Sequence, residues 1–323
     1  MAMNRILPLA LLALATPAPA ADPAPAPSEI VAAAPKTDWV AIPASDLLVM
    51  DLAPDAKGKP RRVTIQLMPP PFSQGWIGNI RKLAAAHWWD GLSINRVQDN
   101  YVVQWGDADA EDKAKARALP NGLAKVPESQ YVAQLANADR NALANSPSGG
   151  VGAALAGNKP IAKFGEFDSY LADTRTFRGW PVAHGAGTWP VHCYGMVGVG
   201  RNLPPDTGNG AELYTVIGHA PRHLDRNIAL VGRVIEGIEH LSSLPRGTGA
   251  LGFYETAEER TKIVSVRLGN EVAGIPAYEY LSTESATFAR YADARANRRD
   301  PFFIKPAGGA DICNIPVPVR RVK

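Results

Sequence analysis

A series of short apolar runs, each ended by turn-forming residues, restricts the fold more than any other feature of the sequence. Residues 47–52, 62–67, 92–97 and 101–105 are runs of this kind, and the 323-residue chain contains 29 Gly and 28 Pro. Short runs bounded by Gly, Pro, Asn and Asp are typical of β-strands. Further candidate strands occupy residues 212–217, 228–234 and 262–268, with strand-like sequence resuming at Tyr194. Many short strands and few helices indicate a closed barrel or a sandwich, and the pattern alone does not choose between them.

One amphipathic helix interrupts the strands. Its apolar stripe has a spacing of three to four residues and consists of Trp76, Ile80, Leu83 and His87. Three prolines at 69–71 prevent an earlier helical start, Ser73 is the predicted N-cap, and the helix is expected to end near residues 90–91.

The region after the fifth candidate strand has a weaker pattern. Residues 108–119 are charged and helical in composition, with opposite charges four residues apart at Asp109–Lys113 and Glu111–Lys115. Residues 145–160 are rich in Gly, Ala, Ser and Pro and are predicted to be a mobile loop. A short helix is expected near Glu236 and a terminal helix over residues 283–296.

The N-terminus has the pattern of a secretory signal peptide. Arg5 is followed by a short apolar run and by an Ala-x-Ala site that predicts cleavage after Ala20. The run is shorter than the roughly 20 residues that span a bilayer, although an uncleaved anchor is the alternative interpretation. We therefore expect a periplasmic or secreted protein without stable membrane insertion after cleavage, in which residues 21–38 form a flexible, Ala- and Pro-rich linker.

Composition and spacing exclude several classes of function. A net charge of +3 gives no indication of nucleic-acid binding. No Cys-x-x-Cys is present, and Pro221 between His219 and His223 disfavours a helical metal site, so we expect no metal or other cofactor. A hydrolase is disfavoured because no Gly-x-Ser-x-Gly motif occurs. In an oxidising compartment Cys193 and Cys313 form one disulfide, the alternative being two buried thiols.

Two groups of motifs, in the same order as in a known family, decide the fold. The first comprises NIRKL at residues 79–83, WDGLSINRV at 89–97 and QWGD at 104–107; the second comprises GMVGVG at 195–200, GAELY at 210–214, HLD at 223–225 and VGRVIEG at 231–237. This series resembles the cyclophilins, which are peptidyl-prolyl cis-trans isomerases. The resemblance implies a mainly β protein with an eight-stranded antiparallel barrel capped by two helices. It predicts a cyclophilin-like domain over residues 39–268, with a loop and helix insert at about 108–190 and a helical C-terminal extension at 269–323.

The resemblance also implies roles for individual residues. Arg96 matches the catalytic arginine of the family. The residues that match the substrate-binding positions are Tyr101, Val102, Gln104, Glu212, Tyr214, His223 and Leu224. If residues 212–217 form a strand, Glu212 and Tyr214 point to the same face.

Several of these positions depart from the family pattern. Tyr101 and Tyr214 replace phenylalanines, Gly198 stands where asparagine is usual, and His223 lies near a position that often holds tryptophan. Glu212 replaces the usual glutamine, so it either pairs with Arg96 and competes with the substrate or holds the guanidinium in place.

The expected function is isomerisation of X–Pro bonds in unfolded or extended polypeptides, assisting the folding of exported proteins. The alternative is a peptide-binding module or chaperone that keeps the groove without the chemistry.

Overall fold

The structure is a computed structural model that describes residues 23–145, 170 and 173–322. The predicted signal peptide, and the predicted loop at 145–160 apart from its first residue, lie outside the described residues. In chain order the strands are β1 (Trp39–Ile42), β2 (Leu47–Leu52), β3 (Arg61–Leu67), β4 (Ser93–Val97), β5 (Val102–Gly106), β6 (Asp173–Phe177), β7 (Trp180–His184), β8 (Thr188–Pro190), β9 (Met196–Val199), β10 (Leu213–Val216), β11 (Leu230–Glu236), β12 (Thr261–Leu268), β13 (Tyr278–Leu281) and β14 (Val319–Arg321). The helices are α1 (Pro27–Ala32), α2 (Gln74–Ala85), α3 (Asn137–Asn145), α4 (Glu239–Ser242) and α5 (Ala286–Ala296).

Eight of the strands close into a barrel, and every pairing in it is antiparallel. Their order around the barrel is β10-β5-β4-β12-β2-β3-β11-β9, with β9 paired back to β10. The predicted mainly β, eight-stranded fold is therefore confirmed. Closure pairs every strand on both sides, so the barrel has no free edge.

Helix α2 packs three of the four residues of its predicted stripe into the barrel core. The fourth, His87, is exposed, because the helix ends at Ala85 and not near residues 90–91 as predicted. Trp76, Ile80 and Leu83 have no exposed surface, because the spacing of three to four residues places them on one side of the helix. Ser73 does precede the helix, but it adopts a left-handed conformation (φ 54°) and its side chain accepts no capping hydrogen bond. The second cap, α4, has only four residues.

The insert contains more β-structure than the sequence indicated. Strands β6, β7 and β8 form a separate antiparallel sheet within the region predicted to be loop and helix. Short Thr- and Val-containing runs flank the tight turn at Arg178 and Gly179, both of which have positive φ (48° and 83°). Among the described residues of the insert, the helical structure consists of α3 and one 3-10 turn at Glu128–Tyr131.

The predicted helix at 108–119 is wrong, because this segment forms turns. The carboxylate of Asp107 accepts hydrogen bonds from the backbone N–H groups of Asp109 (3.0 Å) and Arg117 (2.6 Å). These two bonds fold the segment back on itself and replace the helical pattern. Lys115 pairs with Asp112 at 3.0 Å instead of with the predicted Glu111.

The predicted linker is also partly wrong, since residues 27–32 form α1 and pack on α5. Pro27 occupies the first turn, and Glu29 accepts a 2.7 Å hydrogen bond from the backbone N–H of Ala26. Alanine has a high helix propensity and proline is favoured at the first helical position, so the same composition suits a short helix. Ile30 and Val31 supply the apolar contact with a core that includes Phe288 and Tyr291 of α5.

The two ends of the domain meet in a small sheet of order β1-β13-β14. The C-terminal extension thus pairs with the segment that precedes the barrel. The bounds of α5 are within three residues of those predicted for the terminal helix at 283–296. No helix in the described part of the chain is long and apolar enough to cross a membrane.

Candidate active site

The candidate site lies on the outer surface of the barrel, across β4, β5 and β10. Along β5, Val103 and Trp105 point into the barrel core, while Val102 and Gln104 alternate with them and face outward. A bulge between Ile94 and Arg96 shifts the register of β4, and Arg96 then lies opposite Gln104. Strand alternation and one bulge therefore bring the two polar side chains together.

Arg96 is held by neutral groups. Its Nε donates to the backbone oxygen of Leu251 at 2.7 Å, its Nη1 donates to Oε1 of Gln104 at 3.3 Å, and its Nη2 donates to Oε1 of Gln98. A guanidinium has five N–H groups, so these three bonds leave two N–H groups for a further acceptor.

Aromatic rings flank the same guanidinium. The centroids of Tyr101 and Phe253 lie 5.7 and 5.2 Å from Cζ of Arg96. Burial lowers the pKa of Arg96 from its ordinary value, although arginine remains charged at neutral pH. The site therefore offers a fixed cation with reduced access to water.

Glu212 contacts Gln104 instead of the arginine. Nε2 of Gln104 donates to Oε2 of Glu212 at 2.5 Å, while Oε1 of the same amide accepts from Arg96. Among the described residues no ion pair joins Arg96 to Glu212, so the structure does not contain the contact that the first of the two alternatives, competition for the guanidinium, requires. Burial raises the pKa of Glu212, and Arg96 opposes this shift only weakly.

Two glycines leave room for the Glu212 side chain. A Cβ on Gly200 would lie 2.9 Å from Cβ of Glu212, and a Cβ on Gly106, which has a φ of 156°, would lie 3.1 Å from Cγ of Glu212. The carboxylate is therefore enclosed by backbone on two sides, which accounts for its burial.

An apolar pocket adjoins this polar row. Val102, Tyr214 and Val216 form a buried cluster, and Tyr101 and Ile228 pack against it. The whole cleft has a volume of about 1320 Å³. Its lining includes all but one of the predicted site residues, namely Arg96, Tyr101, Val102, Gln104, Glu212, Tyr214 and Leu224.

The remaining predicted residue, His223, does not line the cleft. It is exposed and stacks against Tyr101, with ring centroids 6.5 Å apart and planes 12° apart. Its contact with the site thus passes through the Tyr101 ring.

Sequence reasoning missed three groups that contact the site. Leu251 and Phe253 arrive from the segment between α4 and β12, about 155 residues after Arg96. The third is His192, which is fully buried behind the pocket, with its Nε2 2.7 Å from the hydroxyl of Tyr214. Phe253 and His192 lie outside the quoted motifs, and the motifs gave no signal for them.

The C-terminal extension is tied to the chain just before β9. Cys193 and Cys313 form a disulfide with a Cα–Cα distance of 5.1 Å, joining residues 120 apart in sequence. Among the described residues no group of three or more His, Cys, Asp or Glu side chains could hold a metal ion.

A scan against family models matches residues 62–268 to the cyclophilin type peptidyl-prolyl cis-trans isomerase/CLD family. The chain belongs to this family. The matched segment covers most of the barrel strands and all the cleft residues named above, and membership assigns the chain to the peptidyl-prolyl cis-trans isomerases.

One solved cyclophilin shares the fold over most of its length. The cyclophilin AquaCyp293 from Hirschia baltica is 18% identical, with a TM-score of 0.61 over 88% of this chain and 94% of that one. A cyclophilin type peptidyl-prolyl cis-trans isomerase from Cryptosporidium parvum is 10% identical, with a TM-score of 0.38 over 69% of this chain and 97% of that one. The same Cryptosporidium parvum protein in the presence of the dipeptide Ala-Pro is 9% identical, with a TM-score of 0.37 over 68% of this chain and 98% of that one. No curated protein matches the sequence.

Proposed function

We propose that this cyclophilin isomerises X–Pro bonds in extended segments of exported proteins, with Arg96 donating a hydrogen bond to the prolyl nitrogen. The observation that carries the proposal is the position of Arg96: two N–H groups remain uncommitted beside an apolar pocket formed by Val102 and Tyr214.

The chemistry requires no bond cleavage. Rotation about a peptide bond costs roughly 18–20 kcal/mol because the nitrogen lone pair is delocalised into the carbonyl group. In the twisted state the lone pair returns to the prolyl nitrogen, which can then accept a hydrogen bond. A donor that binds this nitrogen only in the twisted state lowers the free energy of the bound transition state. It does not stabilise either the cis or the trans isomer.

Arginine suits this role for two reasons. It stays protonated at neutral pH, and its planar fork keeps the free N–H groups in fixed directions. The bonds to Leu251 and Gln104 reduce the reorientation that the side chain needs before it donates. The apolar pocket next to it supplies a surface for the prolyl ring.

The test is a magnetisation-exchange measurement on an Ala-Pro-containing peptide with wild type, Arg96→Ala and Arg96→Lys. Loss of one charged hydrogen bond predicts a fall in kcat/KM of about 10- to 100-fold for Arg96→Ala. Arg96→Lys should recover little of it, because lysine lacks the fork. Arg62→Ala, which removes an arginine paired with Asp51 away from the cleft, is the matched control.

An equal rate for wild type and Arg96→Ala would contradict the proposal. If wild type and Arg96→Ala then both bound the peptide and suppressed aggregation of an unfolded client, the protein would be a non-catalytic peptide-binding module.

Export is a separate part of the proposal. The pattern of residues 1–20 supports it, and so does the disulfide, since such bonds persist in oxidising compartments. A reporter enzyme that is active only outside the cytoplasm, fused after residue 38, should be active, and deletion of residues 1–20 should abolish that activity.

A further inference from the structure

A buried chain of polar groups lies directly behind the apolar pocket. Nε2 of His192 lies 2.7 Å from the hydroxyl of Tyr214, and Nδ1 of His192 lies 2.8 Å from Oδ1 of Asp225. The backbone N–H of His192 donates to the same carboxylate oxygen at 2.9 Å, and Oδ2 of Asp225 accepts from Nε of Arg222 at 2.6 Å. Neither His192 nor Tyr214 has more than 4% of its surface exposed.

The hydrogen-bond partners define the form of the imidazole. Because the carboxylate of Asp225 accepts from Nδ1–H, Nε2 carries the lone pair and accepts from the Tyr214 hydroxyl. Burial lowers the pKa of His192 and raises the pKa of Tyr214 well above its ordinary value. A neutral imidazole and a protonated phenol are the forms that this arrangement needs.

His192 joins two walls of the pocket that are separate in sequence. Tyr214 lies on β10, whereas Asp225 directly follows Leu224 in the turn before β11. Tyr214 and Leu224 both line the cleft. One side chain therefore connects the strand that carries the first wall to the turn that carries the second.

The Tyr214 ring is also confined from the side of β9. A Cβ on Gly198 would lie 2.3 Å from Cζ and from the hydroxyl oxygen of Tyr214, so only glycine leaves space for the ring in this position. The ring lies nearly parallel to the imidazole, with planes 8° apart. The hydroxyl is thus directed away from the cleft and toward His192.

We infer that His192 is a positioning residue of the peptide site, which fixes the Tyr214 ring and the Leu224 turn at the separation that accepts a prolyl ring. This inference rests on the proposed function, but its consequence is measured as peptide affinity and does not require turnover. It assigns a role to His192 and Asp225, and it accounts for the joint presence of Tyr214 and Gly198.

The experiment is a double-mutant cycle on His192→Ala and Tyr214→Phe, with the Kd of an Ala-Pro peptide measured by NMR titration and kcat and KM measured by magnetisation exchange. Each single variant should weaken peptide binding by about 3- to 10-fold, the effect of losing one hydrogen bond. In the Tyr214→Phe background, His192→Ala should add less than twofold, because the shared bond is already absent. His184→Gln is the control, since it changes another histidine bonded to a hydroxyl, that of Thr188 in the separate insert sheet.

Two readouts separate positioning from a purely structural role. First, the weaker binding of each single variant should appear as a higher KM and a higher Kd, with kcat changed less than twofold. Second, NMR signals from the two sides of the Tyr214 ring that are distinct in wild type should merge into averaged signals in His192→Ala. Unchanged affinity in both folded single variants, or fully additive effects, would overturn the inference. If His192→Ala does not fold, Tyr214→Phe and Asp225→Asn decide the matter by the same measurements. A wild type that binds the peptide without isomerising it would contradict the proposed function and leave this test intact.

Discussion

The carboxylate of Glu212 accepts a 2.5 Å hydrogen bond from Gln104, whose carbonyl oxygen in turn accepts from Arg96 at 3.3 Å. The Gln104 amide thus lies between the Glu212 carboxylate and the Arg96 guanidinium and bonds to both. Glu212 therefore affects the orientation of Arg96 through Gln104 and not through a direct ion pair. In a family where glutamine is usual at this position, the carboxylate acts as an acceptor that fixes which way the Gln104 amide faces. This arrangement favours the interpretation in which Glu212 holds the site together.

We predict that Glu212→Gln keeps isomerase activity within about threefold, because a glutamine oxygen can still accept from Gln104. The stability effect should depend on pH. Burial raises the pKa of Glu212 above its ordinary 4.5, so the folded state keeps its proton to higher pH than the unfolded chain. The contribution of this group to the free energy of unfolding therefore falls as pH rises above 4.5.

Urea unfolding at pH 4 and pH 7 checks this sign. Relative to wild type, Glu212→Gln should be more stable at pH 7 than at pH 4. The exposed Glu258→Gln serves as the control for removing one negative charge. A difference between wild type and Glu212→Gln that is the same at both pH values would refute a raised pKa.

A second prediction concerns Gly198. In Gly198→Ala the new methyl group would meet the Tyr214 ring at 2.3 Å, which forces the ring out of its bond with His192. We expect a loss of stability of about 1–3 kcal/mol from overpacking, together with weaker peptide binding. Gly78→Ala in α2 is the control, because a Cβ there meets nothing within 4 Å. Equal stability and affinity in Gly198→Ala and wild type would show that the ring has other positions available.

The third prediction concerns the disulfide. Its 120-residue separation closes a long loop, for which the chain-entropy model gives about 5 kcal/mol, and removal of a native disulfide typically costs roughly 2–5 kcal/mol. Reduction should lower the urea midpoint of wild type, and Cys193→Ser/Cys313→Ser should show the lowered midpoint whether or not reductant is present. A wild-type midpoint that does not respond to complete reduction, verified by thiol labelling, would contradict this role.

Local patterns in the sequence predicted the strands well, whereas the choice of a barrel over a sandwich came from the resemblance to the cyclophilins. The bounds of β2 match the predicted run at residues 47–52, and β3 begins one residue before the predicted run at 62–67. A short apolar run and the turn residues that flank it are properties of the segment itself, so no tertiary information is needed. The same holds for α2, whose stripe is a local repeat.

Long-range hydrogen bonds account for what the sequence did not predict. The turns at 108–119 depend on the Asp107 carboxylate, which accepts a hydrogen bond from the backbone N–H of Arg117, ten residues away. His192 acquires its role from residues 22 and 33 positions later, Tyr214 and Asp225. The outcome at Glu212 depended on a contact with Gln104 across 108 residues. A single sequence shows such side chains only as isolated polar residues.

Arg233 of β11 contacts both additions to the barrel. Its Nε donates to Oε1 of Gln66 at 2.9 Å, and its Nη1 donates to the backbone oxygen of Gly179, in the turn between β6 and β7, at 2.7 Å. The guanidinium also lies over the rings of Trp180 (4.5 Å) and Tyr280 (5.9 Å), the latter on β13. One buried cation therefore contacts the barrel, the insert and the C-terminal extension.

Arg233→Lys should consequently destabilise the folded chain by about 2–4 kcal/mol, although it conserves the charge. Burial lowers the pKa of Arg233 to about 10, so the arginine is still protonated at neutral pH, and among the described residues no carboxylate pairs with it. A lysine would lose the fork that reaches Gln66 and Gly179 together and the flat surface that stacks on Trp180, and it would be more costly to bury. Urea unfolding measures the loss, with the exposed Arg62→Lys as the matched control. Hydrogen exchange should show the largest loss of protection in β6, β7 and β13, because the arginine contacts the turn between β6 and β7, the ring of Trp180 and the ring of Tyr280. Loss of protection confined to β11 would mean that Arg233 stabilises only its own strand.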